Sequence, residues 1–368
     1  MTAAAGPVVR AKREGRLADP DRDLRSDPRT DRRLLAALAA FGLDAPAAPP
    51  PFGRSAGQAA IAEFVGGADA AFEGLYAALP NDLPGDDKQA VTHATESLRG
   101  PTGDDIVLHI ARPVGIGGPL PSIVYVHGGG MAIRATDNKV HRQWRTDLAA
   151  AGMVGIGVDF RNAWTQGALN PFPAGLDDCA TAVAWIAQNR DRLGISKVVL
   201  QGESGGANLV LATALKALRD GGIDAIDGVY ATVPYISGGY GWAHERKLAE
   251  LPSLCENEGY FLNTATMDLL VALYDPTGDN AENPLCWPYF ATVEDLRGLP
   301  PHVIAVNELD PLRDEGLAYY RTLLAAGVNV TGRVNLGITH GADMIFRQAI
   351  PDVYRSAIAD IKRFAETL

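Results

Sequence analysis

Val198-Val199-Leu200-Gln201-Gly202-Glu203-Ser204-Gly205-Gly206 carries a short apolar run into a G-x-S-x-G pentapeptide, and the stretch from Leu209 to Leu218 that follows is helix-forming. A buried strand, a sharp turn and a helix, in that order, leave a serine hydroxyl exposed at the start of the helix. Side chains at 202 and 206 would collide with the neighbouring strand or helix, which is why both positions are glycine. The helix N-terminus behind Ser204 brings backbone N–H groups and partial positive charge to the place where an oxyanion would form.

Outward from this turn, the chain alternates apolar runs with helical stretches. Residues 123–126, 154–160, 229–233 and 303–306 are short and continuously apolar, and 328–335 reads as a last strand. Helical patterns occupy 139–151, 174–192, 204–220 and 311–326, with a closing amphipathic helix over 352–368. Buried strands separated by helices predict an α/β fold with a parallel, doubly wound sheet. Residues 91–98 and 106–111 partly alternate and predict an antiparallel pair ahead of it. Before these strands, 31–41 and 55–78 read as helices joined by a proline-rich linker, while residues 1–30 are polar with alternating charge. About fifty residues between Pro234 and Pro288 break the alternation, with a helical centre near 264–273. They insert at the C-terminal end of the sheet, where α/β folds bind ligands. The expected organisation is an N-terminal helical segment (1–88) that contributes to a cap, a catalytic domain (89–234 and 286–368), and a cap insertion (235–285).

Bulk composition narrows the function. The 368 residues are 47% hydrophobic, enough for a large core, and the net charge of −11 argues against nucleic acid and against anionic membrane surfaces. No apolar run is long enough to span a bilayer, and residues 1–33 lack an apolar signal core. Three cysteines, Cys179, Cys255 and Cys286, have no paired spacing, so a reduced, cytoplasmic setting is expected. No metal-ligand spacing is present, and the glycine-rich stretch at 128–130 lacks the pattern of a dinucleotide fingerprint. Neither metal nor cofactor is expected.

A serine nucleophile needs a base, and the base needs an acid to orient it. Of the seven histidines, His302 and His340 lie in the catalytic part of the chain beyond the elbow. His302 precedes its strand and so sits at the wrong end of the sheet; His340 lies in the loop after the last strand and is the expected base. Asp310 and Glu308 both follow the strand at 303–306, and Asp310, in the loop proper, is the better acid. His127-Gly128-Gly129-Gly130 follows the strand at 123–126, and its glycines allow N–H groups to face a substrate oxygen. Gly129, Gly130 and Gly205 are the expected oxyanion donors, with His127 shaping the loop and Glu203 buried beside the elbow. Met131, Tyr235, Tyr260, Phe261 and Trp287 could line an apolar substrate pocket or equally be cap core.

The set HGGGM (127–131), GESGG (202–206), DPLRDEG (310–316) and HGAD (340–343), in this order, resembles the hormone-sensitive-lipase family of α/β-hydrolase esterases. The resemblance covers residues from about 30 to the C-terminus, and DFRNAW (159–164), PFPA (171–174) and NELDP (307–311) strengthen it. It implies an eight-stranded sheet, a cap built from the N-terminal helices and an insertion, and a triad of Ser204, Asp310 and His340. Much of the family carries Asp-Ser-Ala-Gly at the elbow, where this chain has Glu203-Ser204-Gly205-Gly206. With PYISGGY (234–240), LPSL (251–254) and WPYF (287–290), that departure points to a branch that opens macrolide lactones. The expected activity is a serine carboxylesterase acting on a small-molecule ester or lactone, as a monomer or a homodimer. Acyl transfer or amide cleavage by the same residues, and a non-catalytic ligand-binding protein on this scaffold, are the alternatives.

Overall fold

The computed structural model describes residue 19, residues 21–83 and residues 89–368. The charged stretch 1–18 and the expected boundary at 88 lie outside these residues. Among the described residues, eight strands make one sheet: β1 (Val91–Arg99), β2 (Asp105–Pro113), β3 (Leu120–Val126), β4 (Val154–Asp159), β5 (Ile195–Glu203), β6 (Gly228–Thr232), β7 (His302–Asn307) and β8 (Val330–Asn335). Their spatial order is β1-β2-β4-β3-β5-β6-β7-β8. β2 runs antiparallel to β1 and β4, and every other pairing is parallel. The central strands are buried on both faces, as helices cover both sides of a parallel sheet; Val198, Val199 and Leu200 of β5 have no exposed surface.

The helices used below are α1 (Arg32–Ala39), α2 (Gln58–Ala78), α3 (Lys139–Ala150), α4 (Ala174–Gln188), α5 (Gly205–Arg219), α6 (Thr264–Tyr274), α7 (Arg313–Ala325) and α8 (Pro351–Thr367). Their starts follow local chemistry. Asp31 accepts the Arg33 N–H ahead of α1, Asn138 accepts the His141 N–H ahead of α3, and Asn263 accepts two N–H groups at the start of α6. The helical pattern at 174–192 proves to be two elements. α4 ends at Gln188, and a separate turn spans Arg190–Leu193. Asn189 leaves helical geometry there, and both its backbone N–H and its side-chain amide donate to the Trp185 carbonyl.

The insertion holds more than one helix: His244–Glu250 and Ser253–Glu256 precede α6. α2 packs against α6, so a helix from the N-terminal part and one from the insertion meet above the C-terminal ends of β3 and β5. Ion pairs fasten the chain before α1 to the insertion. Arg29 lies between Asp27 (2.7 Å) and Glu256 (2.6 Å), and Glu256 also meets Arg313 of α7 (2.7 Å). No helix among the described residues is long and apolar enough to cross a membrane.

Candidate active site

Loops after β3, β5, β7 and β8 converge on Ser204. Ser204 stands between β5 and α5 with φ 57° and ψ −120°, a backbone conformation that costs energy in any residue with a side chain. The surroundings hold it there: its N–H donates to the Thr232 carbonyl (3.0 Å), and its carbonyl accepts from Asn208 and Tyr235. A Cβ on Gly202 would strike the Gly206 carbonyl, and one on Gly206 would strike the Val126 carbonyl. The elbow therefore closes only with glycine at both places.

His340 Nδ1 lies 2.8 Å from Asp310 Oδ2, and both residues are buried. The other carboxylate oxygen of Asp310 accepts the Leu312 N–H (2.9 Å), so the carboxyl plane is fixed from both sides. The Asp310 loop is held from the insertion, where the Asn257 amide donates to the carbonyls of Glu308 (3.1 Å) and Asp310 (3.0 Å). The His340 loop is held by Asn307, whose amide donates to the Thr339 carbonyl and to Asp343. Glu308, the alternative acid, turns away and accepts the Gly337 N–H (2.8 Å). His302 begins β7 at the far end of the sheet and sits 2.6 Å from the Pro300 carbonyl.

In the loop after β3, Gly129 and Gly130 adopt φ of 110° and 61°, conformations that glycine takes without strain. A Cβ on Gly205 would stand 2.7 Å from the Gly130 nitrogen, so the start of α5 and this loop touch backbone to backbone. The Gly128 N–H is already committed to Glu203 Oε1 (2.7 Å) and is no donor for a ligand. His127 shapes the loop as expected: its Nδ1 lies 2.7 Å from the Gly128 carbonyl, and its ring stacks on those of Phe160 and His141.

The charges follow from burial. Burial disfavours the imidazolium of His340, but the adjacent Asp310 carboxylate outweighs it, aided by Glu203 and Asp343, and the pKa rises above the ordinary value. Burial raises the carboxyl of Glu203, against the His340 charge and the Gly128 N–H, and likewise raises that of Asp343. His127 is pushed down to about 4 by burial and is neutral near pH 7.

Ser204 and His340 form the floor of a cavity of about 280 Å³. Its walls are mostly apolar. Val65, Phe72 and Tyr76 come from α2, Met267 and Leu270 from α6, and Ile345 from the short helix (Ala342–Ile345) after His340. Tyr235 and Phe261, expected from the sequence, line it. Met131, Tyr260 and Trp287 do not. The Met131 side chain is packed into the core, the Tyr260 hydroxyl donates to Asp27, and Trp287 is buried against Tyr235, Tyr274 and Gly238. The α2 wall was within reach of the sequence: 65, 68, 72 and 76 recur at helical spacing on one face. Arg134 also reaches the cavity, held by Asp69 (3.1 Å) and lying over the Phe72 ring (4.0 Å). Nothing in the sequence marks it, because its partners come from α2. Among the described residues, no cluster of three or more His, Cys, Asp or Glu could hold a metal ion.

A family model described as the alpha/beta hydrolase fold matches residues 123–344. A solved structure described as brefeldin A esterase, a bacterial homologue of human hormone-sensitive lipase, is 55% identical. It aligns 95% of this chain with 97% of that one at a TM-score of 0.94. A structure of esterase Est22 is 34% identical over 93% of this chain and 98% of that one, with a TM-score of 0.81. Carboxylesterase NlhH of Mycobacterium tuberculosis is 31% identical over 243 residues, 64% of this chain and 71% of the relative. The chain belongs to the α/β-hydrolase fold family, and its class is that of the carboxylic ester hydrolases.

Proposed function

We propose that this protein is a serine carboxylesterase that opens esters and lactones through Ser204, His340 and Asp310. The observation that carries the reading is the 2.8 Å contact of His340 Nδ1 with Asp310 Oδ2 on the floor of the cavity that Ser204 shares. Asp310 accepts from Nδ1–H and leaves Nε2 free to take the Ser204 proton as Oγ attacks the carbonyl. The N–H groups of Gly129, Gly130 and Gly205 receive the oxyanion. The alcohol leaves with the proton from His340, and a water then attacks the acyl-enzyme by the reverse sequence. In a lactone the departing alcohol stays tethered to the acyl group, so one ring opening gives one hydroxy acid.

The N-terminal helices and the insertion act as a cap, because α2 and α6 both supply walls of the cavity. Apolar walls suit a compact hydrophobic substrate. The 55% identity to the brefeldin A esterase structure supports a macrolide lactone, with short-chain esters also accepted. The test pairs a fluorophosphonate probe with a substrate panel. Ser204 becomes labelled, and both brefeldin A and p-nitrophenyl acetate are hydrolysed. An unlabelled protein would overturn the mechanism; labelling with turnover of simple esters alone would overturn only the lactone.

Two further results follow from the geometry. Gly205→Ala, the residue much of the family carries there, should lower kcat, because in this chain the new Cβ stands 2.7 Å from the Gly130 backbone and the 129–131 loop must shift; losing a donor outright, about 10²–10³-fold, is the upper bound. Saturating kinetics on a p-nitrophenyl ester would measure this, and unchanged kcat would mean the loop accommodates the Cβ without moving its N–H groups. The second concerns pH. The base must be neutral, and its pKa is raised, so kcat/KM should fall as pH drops through a value above the ordinary histidine value of about 6.5. Glu203→Gln removes one negative charge that favours the imidazolium, so the acid limb should move to lower pH. A limb that stays put or moves up would contradict that coupling.

A further inference from the structure

Behind the elbow lies a second cavity, of about 300 Å³, between the sheet and α8. Polar side chains of the sheet, Gln201, Glu203, Thr232 and Asn335, line it together with Tyr230 and Ala305, and Asp343 joins them from the short helix after His340. Gln201 and Glu203 are two apart on β5 and so face the same side of the sheet, toward α8. Its outer end carries the Arg333–Asp360 ion pair and Ser356, an exposed residue of α8. Space of this size accommodates on the order of ten waters, and the polar side chains along the sheet offer some of them partners. Glu203 lines both this cavity and the substrate cavity and is thus part of the partition between them. One of its oxygens is tied to the Gly128 N–H, while the other faces Gly341, next to His340. Asp343, on the back wall, follows His340 by three residues, in the short helix Ala342–Ile345.

The serine mechanism proposed above, on which this inference rests, needs water at the acyl-enzyme at the moment the acyl group fills the apolar front cavity. The front walls offer water few partners, and the Arg134 guanidinium there is already engaged with Asp69. We propose that the cavity behind β5 supplies the deacylating water, which passes Glu203 to reach acyl-Ser204. Glu203 acts as a positioning residue by accepting a hydrogen bond from the incoming water. The water oxygen bonds to the acyl carbon and gives its proton to His340 Nε2. The tetrahedral intermediate then breaks the bond to Ser204 Oγ, which takes that proton back. The product is the free acid, and the enzyme returns unchanged.

The test closes the rear cavity from α8, away from the chemistry. Ser356→Trp obstructs its mouth and Ala357→Phe fills its interior. In each folded variant, acylation of Ser204 measured by the p-nitrophenol burst stays within about twofold, while acyl-enzyme decay followed by intact-protein mass spectrometry slows about tenfold or more. Added 1-butanol, entering from the front, still captures the acyl group, so the ratio of butyl ester to acid rises. Unchanged decay in both variants overturns the proposal, as does a parallel loss of acylation and decay, which a merely structural disturbance would give. A parent enzyme whose Ser204 takes no fluorophosphonate overturns the serine mechanism itself and this proposal with it.

Discussion

Ser204→Ala is expected to lower kcat by about 10⁴-fold or more and to abolish both the burst and fluorophosphonate labelling. Without Oγ no acyl-enzyme can form, and what remains is the background from substrate binding and the oxyanion donors. The protein should stay folded for reasons visible in the backbone. The Ser204 side chain makes no capping hydrogen bond to α5, so its removal leaves no helix donor newly unsatisfied. Alanine at φ 57° bears the same strain that serine already bears. Circular dichroism and a thermal midpoint within a few degrees of the parent would verify this, and turnover above about one-hundredth of the parent would remove Ser204 from the mechanism.

Asp310→Asn should cost about 10⁴-fold in kcat with little change in KM. The carboxylate at 310 now accepts from His340 Nδ1 and from the Leu312 N–H. An asparagine that keeps its carbonyl on Leu312 turns its NH₂ toward His340. Nδ1 must then accept, Nε2 carries the proton, and His340 can no longer take the proton of Ser204. The size and shape of the side chain are preserved, so the loss reports the tautomer and the missing charge rather than a collapsed loop. Removing the carboxylate also removes the principal group that raises the His340 pKa, so any residual activity should persist to lower pH. Glu308→Gln is the control. Its carboxylate holds the Gly337 N–H outside the triad, and the change should leave kcat within about tenfold.

The residues proposed to carry the chemistry were legible because each sits where a strand ends, and strand ends are marked by short-range signals. Val198 to Leu200 followed by glycines at 202 and 206 defines a strand and a turn that tolerates no Cβ. Apolar runs of four to seven residues separated by helical patterns define a parallel sheet whatever their partners. The choice of His340 over His302 needed only the position of each relative to its strand. The same short-range logic failed at Asn189, where the backbone leaves helical geometry within a stretch that the apolar pattern would have continued. It could not decide between pocket and core for Met131, Tyr260 and Trp287, which the structure packs beneath the cavity wall. Aromatic or long apolar character gives the same signal whether a side chain faces a cavity or packs beneath its wall.

By itself, the sequence determined the strand–turn–helix elbow at Ser204, the glycine loop at 128–130, the order of Asp310 and His340, and the class of fold, since local sterics and hydrophobic periodicity act over a few residues. Only the tertiary structure decided which walls enclose the site: Phe72 and Tyr76 together with Leu270, Arg134 clamped by Asp69, Asn257 reaching from the insertion to the Asp310 loop, and Glu203 standing between two cavities. Each of those contacts joins segments from tens to more than a hundred residues apart. Which distant side chains meet depends on how helices and insertion pack over the sheet, and no local pattern encodes that packing.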